Sequence, residues 1–289
     1  MGIKKNITVF GATGKIGREL ISQLSAASIA TIAVTRNLEN AIKLPSIEWI
    51  QADMSDKQSL YRTMKNAKAV FILSGQSENF VDEQNNVIKM AKEQAVEHIV
   101  KLSSGAADSN SIFHIPRVHG EVEDFLKSSG IAWTMLRPNG VMQNWLGDLA
   151  QTVKKERKIY EATGDGKRAH VDIRDIAEVA FKILAEPEKH INKTYLLTSD
   201  KAVNYKQVAE AISNVINEKV EFVSLTLIEA KQQMEQAGMR QWAIETFLSY
   251  DEAQYNGKTE LVSNDVKNIL HKPARTLEGF VMDYANSFK

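Results

Sequence analysis

The stretch GATGKIG at positions 11–17 sets glycines at 11, 14 and 17, directly after the apolar run ITVF (7–10) and ahead of a pattern carrying Ile16, Leu20 and Leu24. A strand that breaks into a glycine turn and then a helix offers backbone N–H groups and the positive end of a helix dipole to a phosphate. Gly11 permits the sharp turn, Gly14 lets backbone approach a pyrophosphate, and Gly17 lets the new helix sit close to the sheet. Thr13, Lys15 and Ile16, between those glycines, are expected among the nucleotide contacts. The second strand ends in Thr35 and Arg36, where an NAD-specific site carries an acidic residue for the ribose hydroxyls. A guanidinium recognises phosphate in a planar, bidentate way, so Arg36 favours NADP(H); the alternative is an exposed loop charge. Lys15 adds a second positive charge if it turns toward the same phosphate.

Those residues need a rigid scaffold, and the rest of the chain spells one out. ATIAV (30–34), IEWIQ (47–51), AVFIL (69–73), HIVKL (98–102) and AWTML (132–136) follow ITVF as short, continuously apolar runs, separated by helical patterns. Strands of that kind are covered on both faces, and strand–helix–strand repetition implies right-handed crossovers and a parallel sheet. The expectation is an α/β fold, a Rossmann doubly wound parallel sheet with a smaller, mostly helical C-terminal lobe. Residues 1–150 form the nucleotide-binding domain; 151–289 complete the sheet edge and build the substrate-side lobe. After Asp172 come the helix DIAEVAFKIL, the strand TYLLT, the helix YKQVAEAISNVI and the strand VEFVSL, then mainly helices. KKERK (154–158) reads as a solvated helix face.

Composition closes off several function classes. In 289 residues, 36 Lys and Arg balance 36 Asp and Glu, so no global field draws the chain to nucleic acid or an anionic membrane. The absence of cysteine removes disulfides, thiolate metal sites and thiol nucleophiles. The six histidines are scattered and no HEXXH occurs, so no metal is expected. A first strand beginning by Ile3 leaves no room for a signal peptide, and the expected location is cytoplasmic.

In open α/β sheets ligands bind at the carboxyl ends of the strands. Ser103 and Ser104, after the fifth strand, therefore contact nicotinamide or substrate, or merely satisfy backbone at a strand end. Pro138 and Asn139 follow the sixth strand and line the same end. Phe113, Met142 and Trp145 could wall a flat acceptor; the other reading is core.

GATGKIG, the TRN that ends the second strand, QADMSD, KLSSGA, HGEVEDFLKSSGIAWTMLRP and HVDIRDIAEVA together resemble the NmrA-like group of atypical short-chain dehydrogenase/reductases, over nearly the whole chain. The resemblance implies an NADPH-dependent oxidoreductase passing hydride to a quinone or similar conjugated acceptor. The group also holds a non-enzymatic nucleotide-sensing regulator, so a sensor without turnover, with a protein partner, is the competing expectation. A homodimer is compatible with either. By the same resemblance Asp53 contacts adenine, unless it caps the helix starting near Ser55, and Ser74 and Gly75 pass along the nicotinamide. The Tyr and Lys that many short-chain dehydrogenases carry four residues apart are replaced by Ile115 and His119 in IPRVH. An alcohol dehydrogenase mechanism is thereby disfavoured. His119 remains the candidate catalytic group, since the resembling quinone reductases carry histidine there; its alternatives are a ribose contact or a structural role flanking the stripe Val118, Val122, Phe125 and Leu126.

Overall fold

The computed structural model describes residues 6–289. The strand start expected at Ile3 lies outside the described residues. The strands are β1 (Asn6–Val9), β2 (Thr31–Thr35), β3 (Ile47–Gln51), β4 (Ala67–Ile72), β5 (His98–Leu102), β6 (Ala132–Pro138), β7 (Lys158–Glu161), β8 (Lys193–Leu197) and β9 (Glu221–Ser224). The helices are α1 (Lys15–Ala26), α2 (Lys57–Met64), α3 (Phe80–Glu93), α4 (His114–Ser128), α5 (Asp148–Glu156), α6 (Ile173–Ala185), α7 (Tyr205–Ile216), α8 (Leu227–Gln236), α9 (Gln241–Tyr255), α10 (Asp265–Leu270) and α11 (Leu277–Asp283).

Seven strands make one sheet in the order β3-β2-β1-β4-β5-β6-β8. The ladders from β3 across to β6 are all parallel. The order runs outward from β1 in both directions, so successive crossovers reverse between β1 and β4 and open a crevice at their carboxyl ends. β2 and β5 are buried at every position, which is why they read as unbroken apolar runs.

One strand went unanticipated. KKERK is only partly a helix face: α5 ends when Arg157 turns left-handed (φ 55°) with its guanidinium on the carbonyls of Val153 and Lys154. Lys158 then opens β7, which pairs in parallel with β9 in a separate two-stranded sheet. TYLLT, by contrast, becomes β8 at the edge of the main sheet.

The chain folds as two compact units. The first takes the described residues up to Asn110, Pro116–Arg137 and Ile176–Tyr195; the second takes Ser111–Ile115, Pro138–Asp175 and Leu196–Lys289. The first is built on Phe10, Val34, Ile72, Phe80, Val87, Ile99, Val122 and Met135. The second packs Met142, Trp145, Val153, Ile159, Ile212 and Phe280 together. Within it the motif HVDIRD is a structural anchor. Buried Asp172 accepts hydrogen bonds from Gln143 and from the backbone and guanidinium of Arg174, and Asp175 pairs with Arg275.

Candidate active site

The glycine loop shows why only glycine serves at two of its three positions. Gly11 has φ +72°, and a Cβ there would stand 2.5 Å from the Leu73 carbonyl oxygen. A Cβ on Gly17 would stand 2.1 Å from the carbonyl oxygen of Gly11, so α1 can start this close only without a side chain. Gly14 is different: it is exposed, has φ −75°, and would bring a Cβ no nearer than 3.3 Å to the Gly11 carbonyl. No side chain caps α1, whereas Asp56, Asn204 and Thr226 cap α2, α7 and α8. A helix that begins at an exposed glycine without a cap offers its first amides to an external anion. Arg18 braces this loop, donating from Nε to the Thr13 carbonyl (2.9 Å) and from Nη2 to the Asn40 carbonyl (3.2 Å). It was not foreseen from sequence, because nothing in its spacing separates it from an ordinary surface arginine.

Past the carboxyl end of β2, the strand next to β1, a groove of about 590 Å³ is lined by Arg36, Leu38, Trp49, Gln51, Asp53 and Arg62, among others. Arg36 is exposed there, with its carbonyl held by Gln51 Nε2 at 3.0 Å. Asp53 shares the groove but does not cap α2; Asp56 does, through the Gln58 amide. Asp53 instead accepts from the hydroxyl and amide of Ser55 at 2.6 and 2.8 Å. Those bonds, with a smaller contribution from Arg36, hold its carboxyl below the ordinary range. A fixed carboxylate and two arginines on one groove suit an adenosine bearing a 2′-phosphate.

At the carboxyl ends of β4 and β5, polar groups converge within the first unit. Ser74 Oγ accepts from Gln84 at 2.9 Å, and the space beside Gly75 is open. Ser103 is buried and donates its hydroxyl to Glu123 at 2.5 Å. Its proton is committed, which leaves only a lone pair for any ligand. Glu123 also takes a two-pronged hydrogen bond from Arg137, at 2.9 and 2.5 Å. Burial works against that carboxylate, yet the bonds from Arg137 and Ser103 hold its pKa down.

His119 does not merely flank the α4 stripe; it is 8% exposed, with Phe80 meeting its ring edge-on at 4.8 Å. Its Nε2 lies 3.1 Å from the carboxamide nitrogen of the exposed Gln76, and its Nδ1 lies 3.1 Å from Nζ of Lys101. Burial, and then the charge of Lys101, push the imidazole well below its ordinary value, so it is neutral in the working pH range. Lys101 is wholly buried, and that burial lowers its ammonium to about 7, Glu123 opposing the shift and Arg137 adding to it. Lys101 was hidden in the apolar run HIVKL, where a lysine reads as the polar face of a strand. Only the packing of α4 against β5 brings it to His119.

The residues expected to wall the acceptor separate in the second unit. Met142 and Trp145, 2% and 3% exposed, belong to its packed interior, Trp145 lying tilted against His170 and edge-on to Phe280. They are core, because the 3₁₀ turn carrying them faces α5 and α7 of that cluster. Phe113 stays half-buried. Pro138 ends β6, and Asn139 donates its side-chain amide to the Thr259 carbonyl at 3.0 Å. Among the described residues no histidine and carboxylate grouping could hold a metal, and no helix is long and apolar enough to cross a membrane.

Comparison with known proteins places this geometry. Residues 3–281 match the profile described as the NmrA-like family. A protein of Xenophilus azovorans named NAD(P)H azoreductase is 30% identical over 284 residues, 98% of this chain and 99% of the relative. The crystal structure of a triphenylmethane reductase from Citrobacter sp., complexed with NADP(H), superposes with a TM-score of 0.84 at 26% identity, covering 97% of this chain and 99% of that one. That of an NADPH-dependent quinone oxidoreductase from Escherichia coli, complexed with NADPH, superposes at 0.87 with 25% identity over 96% and 99%.

Proposed function

The chain belongs to the NmrA-like family, and from that footing we propose that it is an NADPH-dependent oxidoreductase whose acceptor is a quinone or a similarly conjugated molecule. Its relatives include proteins named NAD(P)H azoreductase and quinone oxidoreductase 2, which support an NAD(P)H-dependent oxidoreductase. The observation that supports the NADPH preference is the groove past β2 that holds Arg36 and Arg62, in a protein whose α1 starts uncapped and exposed. The protein's own geometry fits the cofactor: Gly11, Gly14 and Gly17 with the first turn of α1 would hold the pyrophosphate, Arg36 the 2′-phosphate, and Asp53 the adenosine. Bound there, the reduced nicotinamide would supply a hydride.

What the chain adds is a neutral imidazole at the strand ends, with no phenol and lysine pair four residues apart on α4. Such a site suits an acceptor that is already electrophilic and delocalised, in which proximity and a single proton complete the reaction. Purified protein given NADPH and a panel of quinones and azo compounds should deplete the nicotinamide absorbance faster than the uncatalysed rate. Tight NADPH binding with no depletion by any acceptor would replace this reading with that of a nucleotide-sensing regulator.

A further inference from the structure

Gln76, His119 and Lys101 form a row that runs from an exposed side chain inward to a fully buried ammonium. Among the described residues Lys101 makes no ion pair. Around it stand the Leu102 carbonyl at 3.2 Å, His119 and Glu123 of α4, Arg137 of β6, and the Phe80 ring of α3 at 5.8 Å. Glu123, the carboxylate that favours its charged form, is already engaged by Arg137 and Ser103. A buried lysine so placed costs stability that a methionine would not, so a structural role explains it poorly.

The row has two arrangements in which every polar contact is satisfied, and they differ by one proton. With Lys101 as an amine, Nδ1–H of His119 donates to Nζ, and Nε2 accepts from the Gln76 carboxamide nitrogen. With Lys101 as an ammonium, Nζ donates to Nδ1, and Nε2–H donates to the Gln76 oxygen once the carboxamide has turned over. The imidazole is neutral in both.

We propose that Lys101 stores the proton the reduction consumes and that His119 relays it outward to the acceptor, making Lys101 a positioning and proton-supplying residue that acts through His119. This rests on the reductase reading above, with the acceptor seated beside Gln76. Two electrons and one hydrogen reach the acceptor as hydride from NADPH, and one proton completes its reduction. Once the acceptor takes the place of the Gln76 oxygen at Nε2–H, that bond breaks as an O–H or N–H bond forms on the acceptor, while an Nζ–H bond breaks and Nδ1–H forms. Lysine is left as the amine. A solvent proton entering at Nε2 then sends the Nδ1 proton back to Nζ. An ammonium that burial has brought to about 7 is matched to both directions of this transfer.

The test follows lysine 13Cε and histidine ring 15N signals of the wild-type protein through a pH titration, beside turnover of Lys101→Met with NADPH and a quinone. The relay requires Lys101 to titrate near neutrality and the protonated ring nitrogen of His119 to change from Nε2 to Nδ1 at the same midpoint as pH rises. Lys101→Met should lose at least tenfold in turnover at pH 6 and lose the decline of rate through neutrality, with NADPH affinity within twofold of wild type. A Lys101 that stays charged past pH 9, or ring nitrogens indifferent to it, overturns the proposal, as does a variant with wild-type turnover and pH profile. If wild-type protein reduces no acceptor, the reductase reading falls, and the NMR titration alone decides whether the row carries a mobile proton.

Discussion

Nζ of Lys101 and Nδ1 of His119 lie 3.1 Å apart in the buried interior where α4 crosses β5. Two groups that could each carry a positive charge share one contact, and neither has a carboxylate of its own. Burial weakens the hold of both on a proton, and the charge of Lys101 weakens that of His119 further. The pair can keep a single proton near neutral pH, and that proton belongs to the row rather than to one residue.

That arrangement has a cost in stability with a definite pH dependence. Between about pH 7 and its ordinary 10.5, Lys101 is protonated in the unfolded chain and not in the folded one. Stability therefore rises with pH across that window and is lowest below it. Lys101→Met should raise the unfolding free energy on the order of 2–4 kcal/mol at pH 6, and by much less at pH 10. Denaturant titrations at the two pH values would show it; an equal gain at both would mean that Lys101 keeps its ordinary pKa inside the fold and is charged at either pH.

Glu123 favours the ammonium of Lys101. Glu123→Gln should move the Lys101 titration to lower pH and cost about 1–3 kcal/mol, because Arg137 loses a two-pronged partner. The NMR midpoint and the melting temperature read the two effects separately. A Lys101 midpoint that rises instead would contradict the electrostatic account.

Cofactor choice should turn on Arg36. Arg36→Glu should weaken NADPH binding by about 2–4 kcal/mol, the sum of a lost charge-assisted contact and a new repulsion, and leave NADH nearly unchanged. Fluorescence titration with both nucleotides decides, and parallel losses would make Arg36 structural.

The three loop glycines should part company on mutation. Gly14→Val should fold and lose both nucleotides, since that position is exposed and unstrained but its new side chain stands in the path of a pyrophosphate. Gly17→Val should also damage folding, because its Cβ would collide with the Gly11 carbonyl. Circular dichroism melts alongside binding would reveal the difference, and normal NADPH binding by Gly14→Val would reduce the loop to a turn.

His119→Ala should lower acceptor reduction by roughly ten- to a hundredfold while NADPH affinity changes by less than about 1 kcal/mol. Steady-state rates and a binding titration on the same preparation test this. Unimpaired turnover would leave His119 as a packing residue against Phe80.

Much of this could be read from the chain. The mostly apolar runs announced a buried parallel sheet because β2 and β5 are covered on both faces, and the glycine spacing announced the loop because backbone crowding is a local matter. The place of Arg36 on the groove was legible because it directly follows the second strand, whose end the apolar run marks. The rest depends on which surfaces meet. Asp56 rather than Asp53 caps α2 because the helix begins two residues beyond Ser55. Met142 and Trp145 became core because their turn faces α5 and α7, a choice that an apolar side chain does not announce. Lys101 and His119, 18 residues apart on a strand and a helix, became a pair only when α4 packed over β5. The protonation of each then follows from burial and from neighbouring charges, Glu123 and Arg137 for Lys101 and Lys101 for His119, which are properties of the folded interior and have no counterpart in the order of the residues.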